Sequence, residues 1–139
     1  MVYLKPSAFT RSVFNPLAMR LGLSGTQTLV VPGRRTGRPM RVPVIPVEHD
    51  GSRYVVSTRG ESDWVRNLRA SGRGELRTRR SAEPFEATEL PEDERGPVID
   101  AYRRAAGRAV TGYWRTLPDP ADHPVFRLGP GSAGVAAGG

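Results

Sequence analysis

The sequence predicts an antiparallel, barrel-like α+β domain, and three observations carry that prediction. Five or six short apolar runs read as strands, and most are joined by connections too short for a parallel crossover. Asp50-Gly51 and the glycine-framed stretch Gly33-Arg34-Arg35-Thr36-Gly37 are hairpin signals. Helical patterns interrupt the strand series only twice, so the βαβ rhythm of a doubly wound sheet is absent. At 139 residues the chain fits one domain with a core large enough to need no staples.

The elements follow in order. Phe9, Val13, Leu17 and Leu21 recur at four-residue steps within residues 8–22, which predicts a short amphipathic helix interrupted by Pro16. Such a helix either packs on the sheet or touches a membrane surface or lipid-like substrate. Residues 1–25 form this N-terminal segment. Leu29–Val31 and Val42–Val47 are strands flanking the Gly33–Gly37 loop. Proline cannot donate to a sheet ladder, so Pro43 and Pro46 must stand at an edge, at a bulge, or beside a site where backbone is left free. Asp50-Gly51-Ser52 turns the chain into a third strand, Arg53–Thr58, and Gly60 closes its end. Asp63–Ala70 is a short helix with Ser62 or Asp63 as its N-cap. Its residues Trp64, Asn67 and Leu68 share a face, and a buried amide there must either pin a neighbouring loop or touch a ligand.

Glu75–Arg79 and Pro84–Glu89 form a further antiparallel pair around an Arg79-Arg80-Ser81 turn. Pro91-Glu92-Asp93-Glu94 then opens a helix, its acidic first turn complementing the dipole. Val98, Tyr102, Ala105, Ala106, Ala109 and Tyr113 hold one face of it, with Arg103, Arg104 and Arg108 opposite. Pro124–Leu128 is the last strand, which closes a barrel domain spanning residues 26–128. The Gly-rich stretch 129–139 reads as a flexible tail.

Charge narrows the partners. Twenty-one basic and 14 acidic residues give a net charge of +7, which favours nucleic acid, an anionic membrane surface or a phosphorylated small molecule. Without cysteine there is no disulfide framework and no thiolate metal site, and two histidines far apart make a metal centre unexpected. No run approaches the roughly 18 apolar residues of a membrane span, and no signal peptide is recognisable, so a cytoplasmic protein is expected. Arg34, Arg35, Arg38 and Arg41 crowd around one turn. They are either a solvated basic hairpin or a multivalent receptor for an anion with several acidic groups.

Four segments, Thr28–Pro43 (TLVVPGRRTGRPMRVP), Tyr54–Gly60 (YVVSTRG), Asp63–Ala70 (DWVRNLRA) and Pro124–Leu128, occur in an order and spacing that resembles the deazaflavin-dependent nitroreductase family. The resemblance spans roughly residues 15–128 and implies a split β-barrel, related to flavin-binding proteins, that binds coenzyme F420. It assigns Gly33, Arg34, Arg35, Thr36, Gly37 and Arg41 to the coenzyme's phosphate and oligoglutamate tail. It places Pro43 and Val44 against the deazaflavin ring, and Ser57, Thr58, Arg59 and Gly60 in a loop beside ring and phosphate. Trp64 and Asn67 match the family's W-x-x-N-L signature. Where family members often carry two threonines before the loop, this chain has Val30 and Val31.

The implied activity is hydride transfer from reduced deazaflavin to a small electron-poor acceptor: a quinone, a nitroaromatic or an activated alkene. Tyr113, Ser57 or water would deliver the proton. Phe9, Phe14, Tyr102, Tyr113 and Trp114 would meet the acceptor, with Phe9 and Phe14 as a movable lid. A protein of this type is a monomer or homodimer, with peripheral membrane contact open to its N-terminal helix. The alternatives are a coenzyme carrier without turnover, a binder of flavin mononucleotide or a haem-derived ligand, and a nucleic-acid binder. Against the last, the arginines are not interleaved with aromatics along a face.

Overall fold

The computed structural model describes residues 25–131. The predicted N-terminal helix, with Phe9 and Phe14, and the tail beyond Gly131 lie outside them. Seven strands form one antiparallel sheet: β1 (Gln27–Pro32), β2 (Pro39–Val44), β3 (Val47–His49), β4 (Ser52–Val56), β5 (Arg73–Arg77), β6 (Ala82–Glu89) and β7 (Val125–Pro130). Helix α1 (Asp63–Ser71) sits between β4 and β5, and α2 (Gly96–Ala106) and α3 (Thr111–Thr116) precede β7.

The strand order, β2-β1-β5-β6-β7-β4-β3, dictates the shape. β2 and β3 are the two edges, yet only Ile45 and Pro46 separate them in sequence. Laid flat, seven strands would hold their edges about 29 Å apart at the usual spacing. The chain from Val44 to Val47 reaches at most about 11 Å. The sheet must therefore curl until its edges nearly meet, which makes it a split β-barrel.

The predicted run Val42–Val47 is thus not one strand. It leaves one edge at Val44 and enters the other at Val47, with Pro46 in the crossing where no ladder bond is required. Pro43 stands within the edge strand, opposite Thr28. Three other boundaries differ. The third strand ends at Val56, leaving Ser57–Gly60 as a loop. β7 runs through Pro130 and Gly131 donates to the Pro84 carbonyl at 3.2 Å, so the first residues assigned to the tail belong to the sheet. The predicted helix after Pro91 breaks at Gly107, whose positive φ of 64° an L side chain resists.

Side-chain alternation divides the core in two. Leu29, Val31, Val44, Val55, Leu76, Phe85, Phe126 and Leu128 fill the barrel interior, which α1 plugs with Val65 and Leu68. On the opposite face Ile45, Val47, Tyr54, Val56 and Val125 carry α2 and α3 through Val98, Ile99, Tyr102, Tyr113 and Trp114. Helix α1 ends at Gly72, in the left-handed region at φ 69°, whose N–H caps the Leu68 carbonyl at 2.7 Å. Among the described residues no helix is long and apolar enough to cross a membrane.

At Gly74 the neighbouring strands pass too closely for any side chain: a Cβ would lie 2.6 Å from the Val30 carbonyl oxygen and 2.7 Å from Cζ of Phe85. Gly74→Ala should therefore cost about 1–3 kcal/mol by overpacking. Chemical denaturation reads this directly, and wild-type stability in the variant would contradict the close approach.

Candidate coenzyme site at the upper end of the barrel

The register places the β1–β2 turn, the end of β4, the start of β5 and the start of β7 at one end of the barrel. The Gly33–Gly37 turn and the motifs ending β4 and starting β7 therefore converge there although they are scattered in sequence. Pro43 and Val44 lie towards the other end of β2, opposite Thr28 and Gln27, and meet the end of β4 through the curl of the sheet. The turn itself is shaped by Gly33 and Gly37: Gly33 N–H donates to the Arg38 carbonyl and Gly37 N–H to that of Gly33, each at 2.8 Å. Gly37 has φ 74°, a conformation glycine adopts freely.

Asn67 pins this turn. Its Oδ1 accepts from the Arg34 backbone N–H at 3.0 Å and from Arg34 Nη1 at 2.8 Å, and Arg34 Nη2 reaches Asp63 at 3.4 Å. A nearly buried amide on α1 thus finds its partners on a loop 33 residues away. The consequence for charge is a division of labour. Arg34 is tied to α1, whereas Arg35, Arg38 and Arg41 have no carboxylate partner among the described residues. Thr36 shapes the turn too, its hydroxyl accepting from the Arg38 N–H at 3.2 Å. Val30 and Val31, where the two threonines of the resembled pattern would fall, are both buried in β1.

Beside the turn lies a slot lined by Val42, Pro43, Val44, Val56, Thr58, Arg59, Ser62, Trp64 and Tyr102. Its enclosed volume, about 30 Å³, holds one water, so it presents a wall and donors and does not engulf a ligand. Trp64 is anchored from below by Phe126, ring centroids 6.0 Å apart. Because β2 is an edge strand, half of its backbone groups have no strand partner. Ser62 occupies the N-cap position of α1 yet makes no capping bond, and its buried hydroxyl has no partner among the described residues. A buried hydroxyl left unpaired is rare and costly, and here it lines the slot.

Several other residues singled out in the sequence stand behind this wall. Ser57 is buried, and its hydroxyl donates to the Gly60 carbonyl at 2.6 Å, closing the Ser57–Gly60 loop. Gly60 takes φ 82° and also accepts from the Ser62 N–H at 2.8 Å. Tyr113 and Trp114 lie in the helical core, and Trp114 meets Tyr102 at 5.8 Å between centroids. Tyr102 alone of these three lines the slot. Burial, assisted by the neighbouring Tyr113 and opposed by Arg59, pushes its hydroxyl well above the usual phenol range. Val42, Val56 and Ser62 were not singled out as site residues in the sequence; of these, Ser62 had a visible signal, standing between two recognisable motifs.

A model of the F420H(2)-dependent quinone reductase family matches residues 8–115. The chain belongs to that family. Membership assigns coenzyme F420 as the cofactor and makes the chain an F420H2-dependent oxidoreductase. The fold is shared with solved structures at low identity. An F420-H2 dependent reductase, FDR-A, aligns at TM-score 0.57 and 22% identity, covering 74% of this chain and 92% of its own. A haem-binding protein from Mycobacterium smegmatis aligns at TM-score 0.56 and 16% identity, covering 92% of this chain, which spans only 52% of that protein. A 5-nitroimidazole antibiotic resistance protein from Bacteroides thetaiotaomicron aligns at TM-score 0.52 and 12% identity, covering 81% and 75% of the two chains. No functionally curated protein matches the chain in sequence.

Asn67→Ala removes the only oxygen that Arg34 N–H bonds among the described residues, so the turn should loosen from α1. A loss of about 1–3 kcal/mol in folding stability is expected, with Asn67→Asp, which keeps the acceptor, losing less. Equal stability in all three proteins would remove Asn67 from this role.

Proposed function

We propose that this chain transfers a hydride from reduced coenzyme F420 to a quinone. The observation that carries the reading is the succession along the β1–β2 hairpin of Arg35, Arg38 and Arg41 and then an apolar slot. The three arginines have no carboxylate partner among the described residues, and the slot's Ser62 hydroxyl has no partner among them either. An anionic tail and a flat heteroaromatic ring need those two surfaces side by side. When bound, the reduced deazaflavin supplies the hydride, and the protein supplies binding and orientation.

Arg35, Arg38 and Arg41 hold the phosphate and oligoglutamate carboxylates, for which planar guanidinium forks are suited. Arg34 keeps the turn in place from its seat on Asn67 and Asp63. Val42, Pro43 and Val44 form the wall against the ring, with Trp64 beside it. Thr58, Ser62 and the free edge of β2 offer hydrogen bonds to the ring's polar edge. Ser57 and Gly60 fix the loop that presents Thr58 and Arg59.

On the acceptor side Tyr102, neutral as any phenol is at physiological pH, donates a hydrogen bond to the quinone oxygen as it gains charge. Tyr113 and Trp114 support Tyr102 from the core. Holding acceptor and ring in near-attack geometry supplies most of the rate. The carrier reading would need the same arginine turn but leaves Tyr102 at the slot without a task.

Arg41→Ala or Arg35→Ala should weaken F420 binding by about 1.5–3 kcal/mol, the worth of a charged hydrogen bond. Binding of the deazaflavin lacking the phosphate and glutamate tail should not change. Unchanged F420 affinity in both variants would remove the turn from tail binding, and an equal loss for both ligands would indicate a general collapse of the site.

A further inference from the structure

Ser57 is held at every polar atom. Its N–H donates to the Pro124 carbonyl at 2.9 Å, its hydroxyl donates to Gly60, and its carbonyl oxygen lies 2.8 Å from Nδ1 of His123. His123 has no exposed surface. Its second ring nitrogen, Nε2, lies 2.6 Å from the Leu117 carbonyl at the exit of α3. The ring stacks on Trp114 with centroids 4.0 Å apart and planes within 11°. Trp114 in turn packs on Tyr102, which lines the slot.

We propose that His123 is a positioning residue that latches the Ser57–Gly60 loop to the Trp114–Tyr102 side of the site. Both nitrogens face carbonyl oxygens, so each contact is a bond where that nitrogen carries a proton. Nδ1–H fixes where the loop presents Thr58 and Arg59, while the ring face, together with Nε2–H when both nitrogens are protonated, fixes Trp114 and the end of α3. One side chain therefore sets the spacing between the surface assigned to the coenzyme and the residue assigned to the acceptor.

The surroundings show that the latch is anchored. The turn before His123 is gripped by Arg95, whose Nη1 donates to the Pro120 and Ala121 carbonyls at 3.2 and 3.3 Å. Arg95 also reaches Glu89, which is bound by Arg69, and Arg69 holds Glu61 at the far end of the same loop. The chain of contacts from Ser57 through His123, Arg95, Glu89, Arg69 and Glu61 returns to Gly60. The loop is thus clamped at both ends, and His123 is the clamp that also touches the acceptor side.

The inference rests on Ser57–Gly60 being the coenzyme loop, so its test has one arm that needs no coenzyme. An Asn side chain places its amide nitrogen at the bond distance of Nδ1, and a Gln side chain places it at that of Nε2. His123→Asn keeps the bond to Ser57; His123→Gln keeps the one to Leu117. In the coenzyme-free protein, amide exchange at residues 58–61 should accelerate about tenfold in His123→Gln, the worth of one hydrogen bond, and much less in His123→Asn. Where wild type binds F420, His123→Gln should raise its Kd and lower kcat, while His123→Asn restores Kd. Gly74→Ala, which strains β5 and destabilises the barrel as a whole, should raise exchange at 58–61 no more than in the rest of the fold.

Equal exchange in the two polar variants, or a loss that follows global stability as in Gly74→Ala, would overturn the latch. A wild-type protein that does not bind F420, with exchange still separating Asn from Gln, would instead overturn the coenzyme reading and keep the latch.

Discussion

The rest of the structure depends on a link of two residues, Ile45 and Pro46, between the opposite edges of a seven-stranded sheet. Because that link cannot span a flat sheet, the sheet has to curl. Curling creates an interior that α1 must plug, and it leaves β2 as an exposed edge beside the end of β4. The slot is a product of this geometry: its walls come from the last residues of β2 and β4 and from the first turn of α1. A parallel crossover anywhere in the series would have separated these elements.

On that scaffold the charges are arranged by function. Arginines inside networks, such as Arg34, Arg69 and Arg95, tie loops and helices together through Asn67, Asp63, Glu61 and Glu89. Arg69 sits between two carboxylates, and its hydrogen bonds hold the Glu61 carboxyl below its usual range, a modest effect at a half-exposed side chain. Arg35, Arg38 and Arg41, on the β1–β2 turn and along β2, have no carboxylate partner among the described residues, as is also true of arginines elsewhere on the surface such as Arg79, Arg104 and Arg127. Net charge alone suggested any anionic partner; four arginines on one hairpin, Arg34, Arg35, Arg38 and Arg41, are what favour a compact polyanion there.

Local signals made much of this legible. Gly33 and Gly37, Asp50-Gly51, and the spacing of Trp64, Asn67 and Leu68 depend on residues close in sequence, and the hairpins and α1 fell where they indicated. The division of Val42–Val47 into two strands was not legible, because composition does not say that Ile45 faces one core and Val44 the other. The break at Gly107 was in principle visible as a glycine within a helical pattern. Ser62 and His123 escaped for a deeper reason. Ser62 stands between two recognisable motifs, but its importance lies in having no bonding partner among the described residues, and that of His123 lies in a carbonyl 66 residues away, for which there is no local pattern.

The central claim is that the arginine turn and the adjoining slot together select a deazaflavin carrying a polyanionic tail. The most direct measurement is a paired titration of the full chain with oxidised coenzyme F420 and with flavin mononucleotide at physiological salt. Tighter binding of F420, with the margin shrinking as salt is raised, is the result this account requires. Preference for flavin mononucleotide, or equal affinity for both, would contradict it.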